Sequence, residues 1–454
     1  MQHVEKYGIM GLLWAGLPPE GLVFGCGGRK KSGHIKKGGE ARMELSEVFD
    51  KKLGFGCLRL PHHGDDASDV DVEQMKQMVD LFLERGFRYF DTAYSYLDYK
   101  SELFVREALT GRHPREAFVL TTKLPCLELT PDDSPEKLQG MVKEQLQKCG
   151  VDYFDFYLVH SLNAERFETV QKLHIFENLC ELKAKGKIRH IGFSFHDTAE
   201  VLESILQAHP EMEFVQLQIN YVDWESEGVQ SRKCYEVARK YNKPVIIMEP
   251  VRGGSLAIMP PQVQEVFKKA EPEMSVASWA IRYAASLEGV LTVLSGMSTE
   301  EQLNDNVSYM EDFKPLDEAE RATVQQVVDI LNSLPTIPCT ACKYCVDGCP
   351  QKINIPSIFR TMNDLSLYNN EAGAKRSYAN ATKEGGKAGD CIQCGNCSLV
   401  CPHACIRPIY ASEEVMKGAP EGYQTKPATG KEFAGMQYRM QVSPLDCTGC
   451  GNCV

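Results

Sequence analysis

The chain of 454 residues lacks a basic excess, a long apolar run and a dense set of cysteines. Its 50 Lys and Arg are outnumbered by 62 Asp and Glu, and the net charge of -12 argues against nucleic-acid binding, which needs a basic face. The N-terminal apolar stretch, residues 9–17, is far too short to span a membrane. Eighteen cysteines are too sparse for a small disulfide scaffold, and 43% hydrophobic residues exclude disorder of the whole chain.

The N-terminus also lacks the pattern of a signal peptide. Glu5 lies where a basic segment would stand, and no small-residue cleavage site follows closely. We therefore expect a cytoplasmic protein in a reducing compartment. Residues 1–42 contain ten of the 36 glycines and have neither helical nor strand periodicity, which predicts a flexible N-terminal extension, with a non-native segment as one interpretation.

A GxGxxG motif is missing after every predicted strand, which disfavours an open dinucleotide-binding sheet. From residue 53 to about residue 334, short apolar runs instead alternate with amphipathic helical stretches. Eight such units predict an α/β fold, a (β/α)8 TIM barrel, with an open doubly wound sheet as the alternative. The predicted strands are residues 53–57, 87–92, 118–124, 153–160, 188–195, 214–220, 245–250 and 290–296.

Polar residues stand at the ends of three successive predicted strands, namely Asp91, Lys123 and His160, and Tyr96 follows in the loop after the second strand. In a barrel, chemistry takes place at the C-terminal ends of the strands. A tyrosine with a pKa near 10 needs a neighbouring cation to act at neutral pH, and Asp91 could anchor Lys123 in that role. A neutral His160 could donate a hydrogen bond to a carbonyl oxygen. Taken singly, a helix cap, a surface lysine and a core histidine are the simpler interpretations.

The same residues resemble the aldo-keto reductase family, and the resemblance covers residues 50–335. The matching motifs are FDTAYSY at 90–96, LTTKL at 120–124 and YLVH at 157–160. The resemblance implies a NAD(P)H-dependent reductase in which Tyr96, and not Tyr94, is the general acid. Asp91, Lys123 and His160 would support it.

The resemblance is weaker for the nicotinamide cofactor. The implied cofactor contacts are Ser194, Gln218, Ser295, Gly296, Gln302 and Asn306. The sequence has Phe195 where the family has an asparagine, and Met248 where the family often has an aromatic residue that stacks on the nicotinamide. Positions 296, 298 and 302 carry no Lys or Arg to bind a 2′-phosphate. We therefore hypothesise that NADPH is not strongly preferred over NADH.

Twelve of the eighteen cysteines follow residue 338, and most of them fall into runs. Residues 339–350 and 391–402 both read C-x2-C-x2-C-x3-C-P, which is the ferredoxin spacing for [4Fe-4S] clusters, with the fourth cysteine ligating the other cluster. The spacing predicts two clusters and disfavours structural zinc or disulfides. The predicted ligands are Cys339, Cys342, Cys345 and Cys401 for one cluster and Cys391, Cys394, Cys397 and Cys349 for the other.

A barrel followed by these runs resembles the aldo-keto reductase subgroup with a C-terminal dicluster ferredoxin segment. Residues from about 391 to 454 also resemble the ferredoxin-type domain of pyruvate:ferredoxin oxidoreductase, on the motifs CPHACIRP, GAPEGYQT and VSPLDCTGCG. A third run, Cys447, Cys450 and Cys453, ends before a fourth cysteine. Eleven cysteines in three runs are one short of three clusters, so we expect two at most.

Prolines after the last predicted barrel helix, residues 317–334, indicate a domain boundary. The expected division is a barrel over 43–335, a small α+β ferredoxin-like iron-sulfur domain over 336–405, and a truncated extension with an incomplete third cysteine motif over 406–454.

The leading hypothesis is an NAD(P)H-dependent oxidoreductase that reduces a small aldehyde or ketone. The alternative is an iron-sulfur electron-transfer or interaction protein with a catalytically idle barrel. The clusters could be structural, sense redox state, or serve a redox partner protein, and no nucleic-acid or membrane partner is expected.

Overall fold

The computed structural model describes residues 45–442, except for positions 65, 67, 335, 338, 340–343, 401–405, 420–422, 424 and 430. The predicted N-terminal extension and the third cysteine run lie outside the described residues, as do Cys342 and Cys401.

Eight parallel strands close into a barrel in which each strand pairs with its neighbours in sequence and β1 pairs with β8. This confirms the predicted fold class. The strands are β1 Leu53–Gly56, β2 Tyr89–Asp91, β3 Val119–Leu124, β4 Phe154–Leu162, β5 Ile188–Phe195, β6 Phe214–Gln218, β7 Val245–Met248 and β8 Val290–Ser295. Almost every residue in them is buried, because each strand faces helices on one side and the barrel interior on the other.

Helices cover the outside of the barrel. They are α1 Val72–Glu84, α2 Ser101–Val105, α3 Pro135–Cys149, α4 Ala164–Lys172, α5 Ile175–Ala184, α6 Ala199–Ala208, α7 Ser231–Lys240, α8 Pro261–Ala270, α9 Val276–Ala285, α10 Glu300–Met310 and α11 Glu318–Ser333. In α1, the Asp71 side chain caps the N-terminus, and Met75, Val79 and Phe82 face the core at helical spacing. Gly86, with φ of +82°, turns the chain towards β2.

Residues 336–405, predicted as an α+β iron-sulfur domain, contain only helices where they are described, and the strands lie in residues 406–442, which were predicted as a separate extension. The iron-sulfur domain, named after this prediction, comprises both stretches and is α+β. Its helices are α12 Tyr344–Asp347, α13 Ile355–Tyr368, α14 Glu371–Ala381, α15 Asn396–Val400 and α16 Glu413–Met416. Its strands, β9 Ile406–Ser412, β10 Lys426–Pro427 and β11 Met436–Val442, form an antiparallel sheet in the order β10-β11-β9.

The C-terminal end of α13 packs on the barrel. Tyr368 is 1% exposed and lies in an apolar cluster with Tyr221, Leu256 and Trp279, which belong to the barrel. The helix is thereby fixed beside the loop that follows β7. Across the described ranges, no helix combines the length and the apolar composition that crossing a membrane would require.

Candidate active site

The structure brings the four predicted catalytic residues together at the C-terminal end of the barrel. Lys123 Nζ donates hydrogen bonds to Asp91 Oδ1 at 2.5 Å, to the Thr92 carbonyl at 2.9 Å and to Tyr96 Oη at 3.2 Å. The three ammonium protons therefore all have acceptors. The His160 ring lies edge-on to the Tyr96 ring, with 5.8 Å between centroids.

Lys123 and Asp91 form a buried ion pair, with 0% and 2% of their surfaces exposed. Burial alone would lower the pKa of Lys123, but Asp91 and Tyr96 raise it, so the net shift is upward and the ammonium stays charged at neutral pH. Burial raises the pKa of Asp91, and the neighbouring Lys123 opposes this shift. Gln216 Nε2 donates to Asp91 Oδ2 at 3.2 Å, so each carboxyl oxygen has a donor.

The Lys123–Asp91 pair influences the pKa of the Tyr96 hydroxyl. Burial raises the pKa of Tyr96, while the positive charge of Lys123 lowers it. The three residues that follow, Leu97, Asp98 and Tyr99, all have positive φ, between 51° and 68°. Such backbone is strained in residues other than glycine and persists where the surroundings hold it, which is common beside active sites. Hydrogen bonds from Lys100 N and Ser101 N to the Tyr96 carbonyl close this turn.

His160 is neutral across the physiological range. Burial, and then the nearby charge of Lys123, lowers the pKa of His160 to about 3. A neutral imidazole carries one N–H and can donate a hydrogen bond to an oxygen without holding a charge.

A second polar network lies behind the strand that carries Lys123. The Glu102 carboxyl accepts hydrogen bonds from Thr122 Oγ1 at 2.7 Å and Gln145 Nε2 at 2.8 Å. Gln145 Nε2 also donates to the Lys123 carbonyl at 3.0 Å, and its amide oxygen accepts from Tyr157 Oη. Burial raises the pKa of Glu102. This network fixes the backbone from which the Lys123 side chain extends.

Four of the six predicted cofactor contacts line one cavity of about 230 Å³ beside β8. Asn306 Nδ2 donates to Ser295 Oγ at 2.8 Å, which ties α10 to the end of β8. The Gln302 amide oxygen accepts from Ser298 N at 2.8 Å, and Gly296 lies next to them. The cavity suits part of a dinucleotide, since pockets for whole drug-sized ligands exceed about 300 Å³.

The other two predicted contacts lie elsewhere on the barrel rim. Ser194 is buried at the end of β5, where its Oγ accepts from Ser161 N at 2.7 Å. Gln218 donates to Asp223 Oδ2 at 3.3 Å and lines a separate cavity of about 120 Å³. Ser194 and Gln218 therefore remain predictions as cofactor contacts.

Arg59 is a residue of the cofactor cavity that the sequence did not reveal. It follows β1, and its Nη1 donates to the Gly253 carbonyl at 2.9 Å, while Nη2 lies 3.9 Å from Glu249 Oε1. Arg59 thus brings a cation to the wall of this cavity, where its side chain lies against Gly296. Since 194 residues separate Arg59 from Gly253, no local motif could have paired them.

Four predicted cluster ligands, Cys349, Cys391, Cys394 and Cys397, line a single cavity of about 460 Å³ in the iron-sulfur domain. This is the complete set predicted for one of the two clusters. Burial, and then the adjacent Cys391 and Cys394, raises the pKa of Cys397 to about 11, so metal binding there would release a proton.

For the other predicted set, Cys339 and Cys345 are half-buried, and their two partners lie outside the described residues. Within the described ranges, no three Cys, His, Asp or Glu side chains are grouped to hold a metal ion. The cavity with its four cysteines nevertheless fits a cluster, because each of the four thiolates ligates a different iron and need not meet the others at one atom.

The curated relatives match a short part of the chain. Pyruvate:ferredoxin oxidoreductase from Moorella thermoacetica is 66% identical over 64 residues, and pyruvate-flavodoxin oxidoreductase from Enterobacter agglomerans is 56% identical over 63 residues. Each match covers 14% of this chain but only 6% and 5% of the relatives. The match to the Moorella enzyme has the same length as the predicted 391–454 segment.

Solved structures that resemble the chain include two aldo-keto reductases. The Bacillus halodurans enzyme is 25% identical, with a TM-score of 0.46, and covers 61% of this chain and 91% of its own. The Klebsiella pneumoniae enzyme, solved in complex with NADP and acetate, is 20% identical, with a TM-score of 0.49 and coverage of 61% and 91%.

Two family models match the chain side by side. The model of the 4Fe-4S dicluster domain matches residues 338–406. The model of the aldo/keto reductase family matches residues 52–329, which are more than half of the chain. The protein is therefore an oxidoreductase of the aldo/keto reductase family with a 4Fe-4S dicluster domain after its barrel.

Proposed function

We propose that the barrel reduces the carbonyl group of a small aldehyde or ketone with NAD(P)H, and that Tyr96 supplies the proton. The observation that supports this most is the single ammonium, Lys123, that contacts both Asp91 and the Tyr96 hydroxyl. When bound, NAD(P)H supplies a hydride to the carbonyl carbon. The residues that would hold it are Ser194, Gln218, Ser295, Gly296, Gln302 and Asn306; Arg59 lines the same cavity as the last four.

Tyr96 would donate its hydroxyl proton to the substrate oxygen as negative charge develops there. The phenolate that remains is stabilised by the Lys123 ammonium at 3.2 Å. Asp91, whose other carboxyl oxygen accepts a hydrogen bond from Gln216, holds that ammonium in place without taking its proton. The neutral His160 ring, edge-on to Tyr96, would donate a second hydrogen bond to the same oxygen and orient the carbonyl.

For the cofactor, we retain the hypothesis that NADPH is not strongly preferred over NADH. The residues after β8 offer amides and hydroxyls, and the cation that lines the same cavity, Arg59, is already engaged with Glu249 and the Gly253 carbonyl. A 2′-phosphate would have to compete with those partners for the guanidinium.

For the iron-sulfur domain, we propose two [4Fe-4S] clusters on the two crossed cysteine sets. Clusters supply one-electron transfer, whereas hydride transfer moves two electrons together. The clusters would therefore be structural, sense redox state, or exchange electrons with a redox partner protein. Thiolate runs of this kind remain reduced in the cytoplasm, which is the compartment we propose.

The substitution Tyr96→Phe tests the assignment. It should lower carbonyl reduction by about 10²-fold or more, because it removes the proton donor and leaves the ring. Tyr94→Phe is the matched control, since Tyr94 lies two residues away and its hydroxyl faces Glu144 at 3.4 Å. Retention of activity in Tyr96→Phe would refute the assigned acid.

The second candidate is an electron-transfer protein with an idle barrel. Phe195 and Met248, at positions where the family has cofactor-binding side chains, favour it. Nicotinamide fluorescence distinguishes the two: if neither NADH nor NADPH fluorescence changes when the protein is added, the barrel is idle.

A further inference from the structure

One helix of the iron-sulfur domain reaches from the cysteine cavity to the barrel. At the N-terminal end of α13, Ile355, Ile358 and Phe359 line the cavity that holds the four cysteines. At its C-terminal end, Asp364 and Tyr368 contact the loop that follows β7. A helix of 14 residues is about 21 Å long and rigid on that scale. A displacement of the cysteine cavity would therefore move the residues of α13 that contact the barrel.

Arg252 is the barrel residue that meets this helix. Its Nη1 donates to Asp364 Oδ1 at 3.0 Å, and its guanidinium lies over the Tyr368 ring, 4.9 Å from the centroid. On the barrel side, Arg252 Nε donates to Asp223 Oδ1 at 3.3 Å. Asp223 is 5% exposed at its side chain, so this is a desolvated pair and not a mobile surface contact.

The backbone around Arg252 is strained. Glu249 has φ of +56° and Arg252 has φ of +48°, and two glycines at positive φ follow. A left-handed conformation of residues other than glycine is unfavourable and persists only where neighbouring groups enforce it. The Arg252 side chain supplies such neighbours, because it is anchored on both sides. Asn370 Nδ2, which donates to Ser255 Oγ at 3.4 Å, adds a second contact from the same domain.

The same loop forms one wall of the cofactor cavity. Residues of the loop that line it are Glu249, Pro250, Val251, Gly253, Gly254 and Ala257. Asp223, the barrel partner of Arg252, is also connected to one of the predicted cofactor contacts. Its Oδ2 accepts hydrogen bonds from Gln218 at 3.3 Å and from Asn220 at 2.8 Å. Asn220 in turn donates to the Glu249 carbonyl. The bridge therefore connects to both the cavity wall and a predicted nicotinamide contact.

We propose that Arg252 is a positioning residue that couples the iron-sulfur domain to the cofactor cavity, so that docking of α13 through Asp364 sets the affinity of the barrel for NAD(P)H. This proposal rests on the proposed function. It requires no electron to pass between cluster and nicotinamide, because the coupling acts through contacts alone. Residues of α13 fix the Arg252 side chain, and Arg252 fixes the conformation of the loop after β7.

The experiment titrates NADPH and NADH into the anaerobically purified full chain and follows nicotinamide fluorescence. Asp364→Asn changes only the iron-sulfur domain, yet it should weaken NADPH binding about fivefold to tenfold, and Arg252→Ala should weaken it at least as much. The double variant should be no weaker than Arg252→Ala, since both changes break one link. At saturating cofactor, kcat should change less than about twofold, because neither residue contacts the reacting atoms.

Glu371→Gln is the matched control: it removes one negative charge from the same domain, where Glu371 forms an exposed ion pair with Lys375. Asp364→Glu keeps the charge and should retain near wild-type affinity. If Asp364→Asn binds NADPH as tightly as the wild type, or if Glu371→Gln weakens binding equally, the coupling is refuted. If the wild type binds neither nucleotide, the proposed function itself fails.

Discussion

The barrel and the iron-sulfur domain hold their functional groups in different ways. In the barrel, Lys123 is fully buried and satisfied by three protein acceptors. In the iron-sulfur domain, the predicted ligands surround a cavity, Cys391 and Cys394 are exposed, and apolar side chains such as Leu399 are 85% exposed. The barrel site is thus preorganised by side-chain pairing, whereas the cysteine site depends on a group that the chain must bind. The difference can be tested through the unfolding free energy of the barrel.

The largest effect is expected from Lys123→Met. It leaves the buried Asp91 carboxylate without its cation, and breaking a buried pair in this way costs about 3–5 kcal/mol. Urea unfolding followed by tryptophan fluorescence measures the change, since Trp279 is fully buried. Lys185→Met is the control, because its pair with Glu181 is more than half exposed and is expected to be worth less than about 0.5 kcal/mol. Equal stability of the two variants would show that the barrel site is not preorganised by this pair.

The strands of the barrel could be predicted because the spacing of apolar residues and the length of each apolar run are local properties of the sequence. The predicted strand 188–195 coincides with β5, and the other strands differ from prediction mostly at their ends, where β6 stops at Gln218 and β7 at Met248. The positions of the four predicted catalytic residues followed from the same local order, since each stands at or just beyond a strand end.

The supporting side chains were not predictable in this way. Arg59 and Arg252 belong to loops; Gly253, a partner of Arg59, lies 194 residues away in the sequence, and Asp364, a partner of Arg252, lies 112 residues away. Gln216 and Gln218 point to the same face of one strand, and only the closure of the barrel decides that Gln216 contacts Asp91. Long-range partners of this kind have no signature in a single sequence.

A smaller effect is expected from protonation of His160. Its pKa is about 3 in the folded barrel and about 6.5 in the unfolded chain, so the unfolded state takes up a proton first as the pH falls. The folded barrel should therefore lose up to about 2 kcal/mol of unfolding free energy between about pH 7 and pH 5. His160→Gln should remove this part of the pH dependence. His196, whose pKa burial also lowers, acts in the same direction, so wild type and variant must be compared at both pH values. Identical pH dependence in the two proteins would contradict a buried neutral His160.

The smallest effect on the barrel is expected from Cys394→Ser, although this variant should lose one cluster. Iron should fall from about eight to about four atoms per chain, because Cys394 serves one [4Fe-4S] set. Cys234→Ser is the control in the barrel: its thiol donates to the Asp197 carbonyl at 3.7 Å, a bond that a serine hydroxyl can keep, and iron should stay at about eight. The unfolding free energy of the barrel should change by less than about 0.5 kcal/mol in Cys394→Ser, because Cys394 is exposed and the barrel has its own closed core. About twelve irons in the wild type would instead require a third cluster.

A lower unfolding free energy of the barrel in Cys394→Ser would show that the two regions depend on each other for folding. If α13 transmits the loss of the cluster to Arg252, we expect weaker NADPH binding while the unfolding free energy of the barrel stays unchanged.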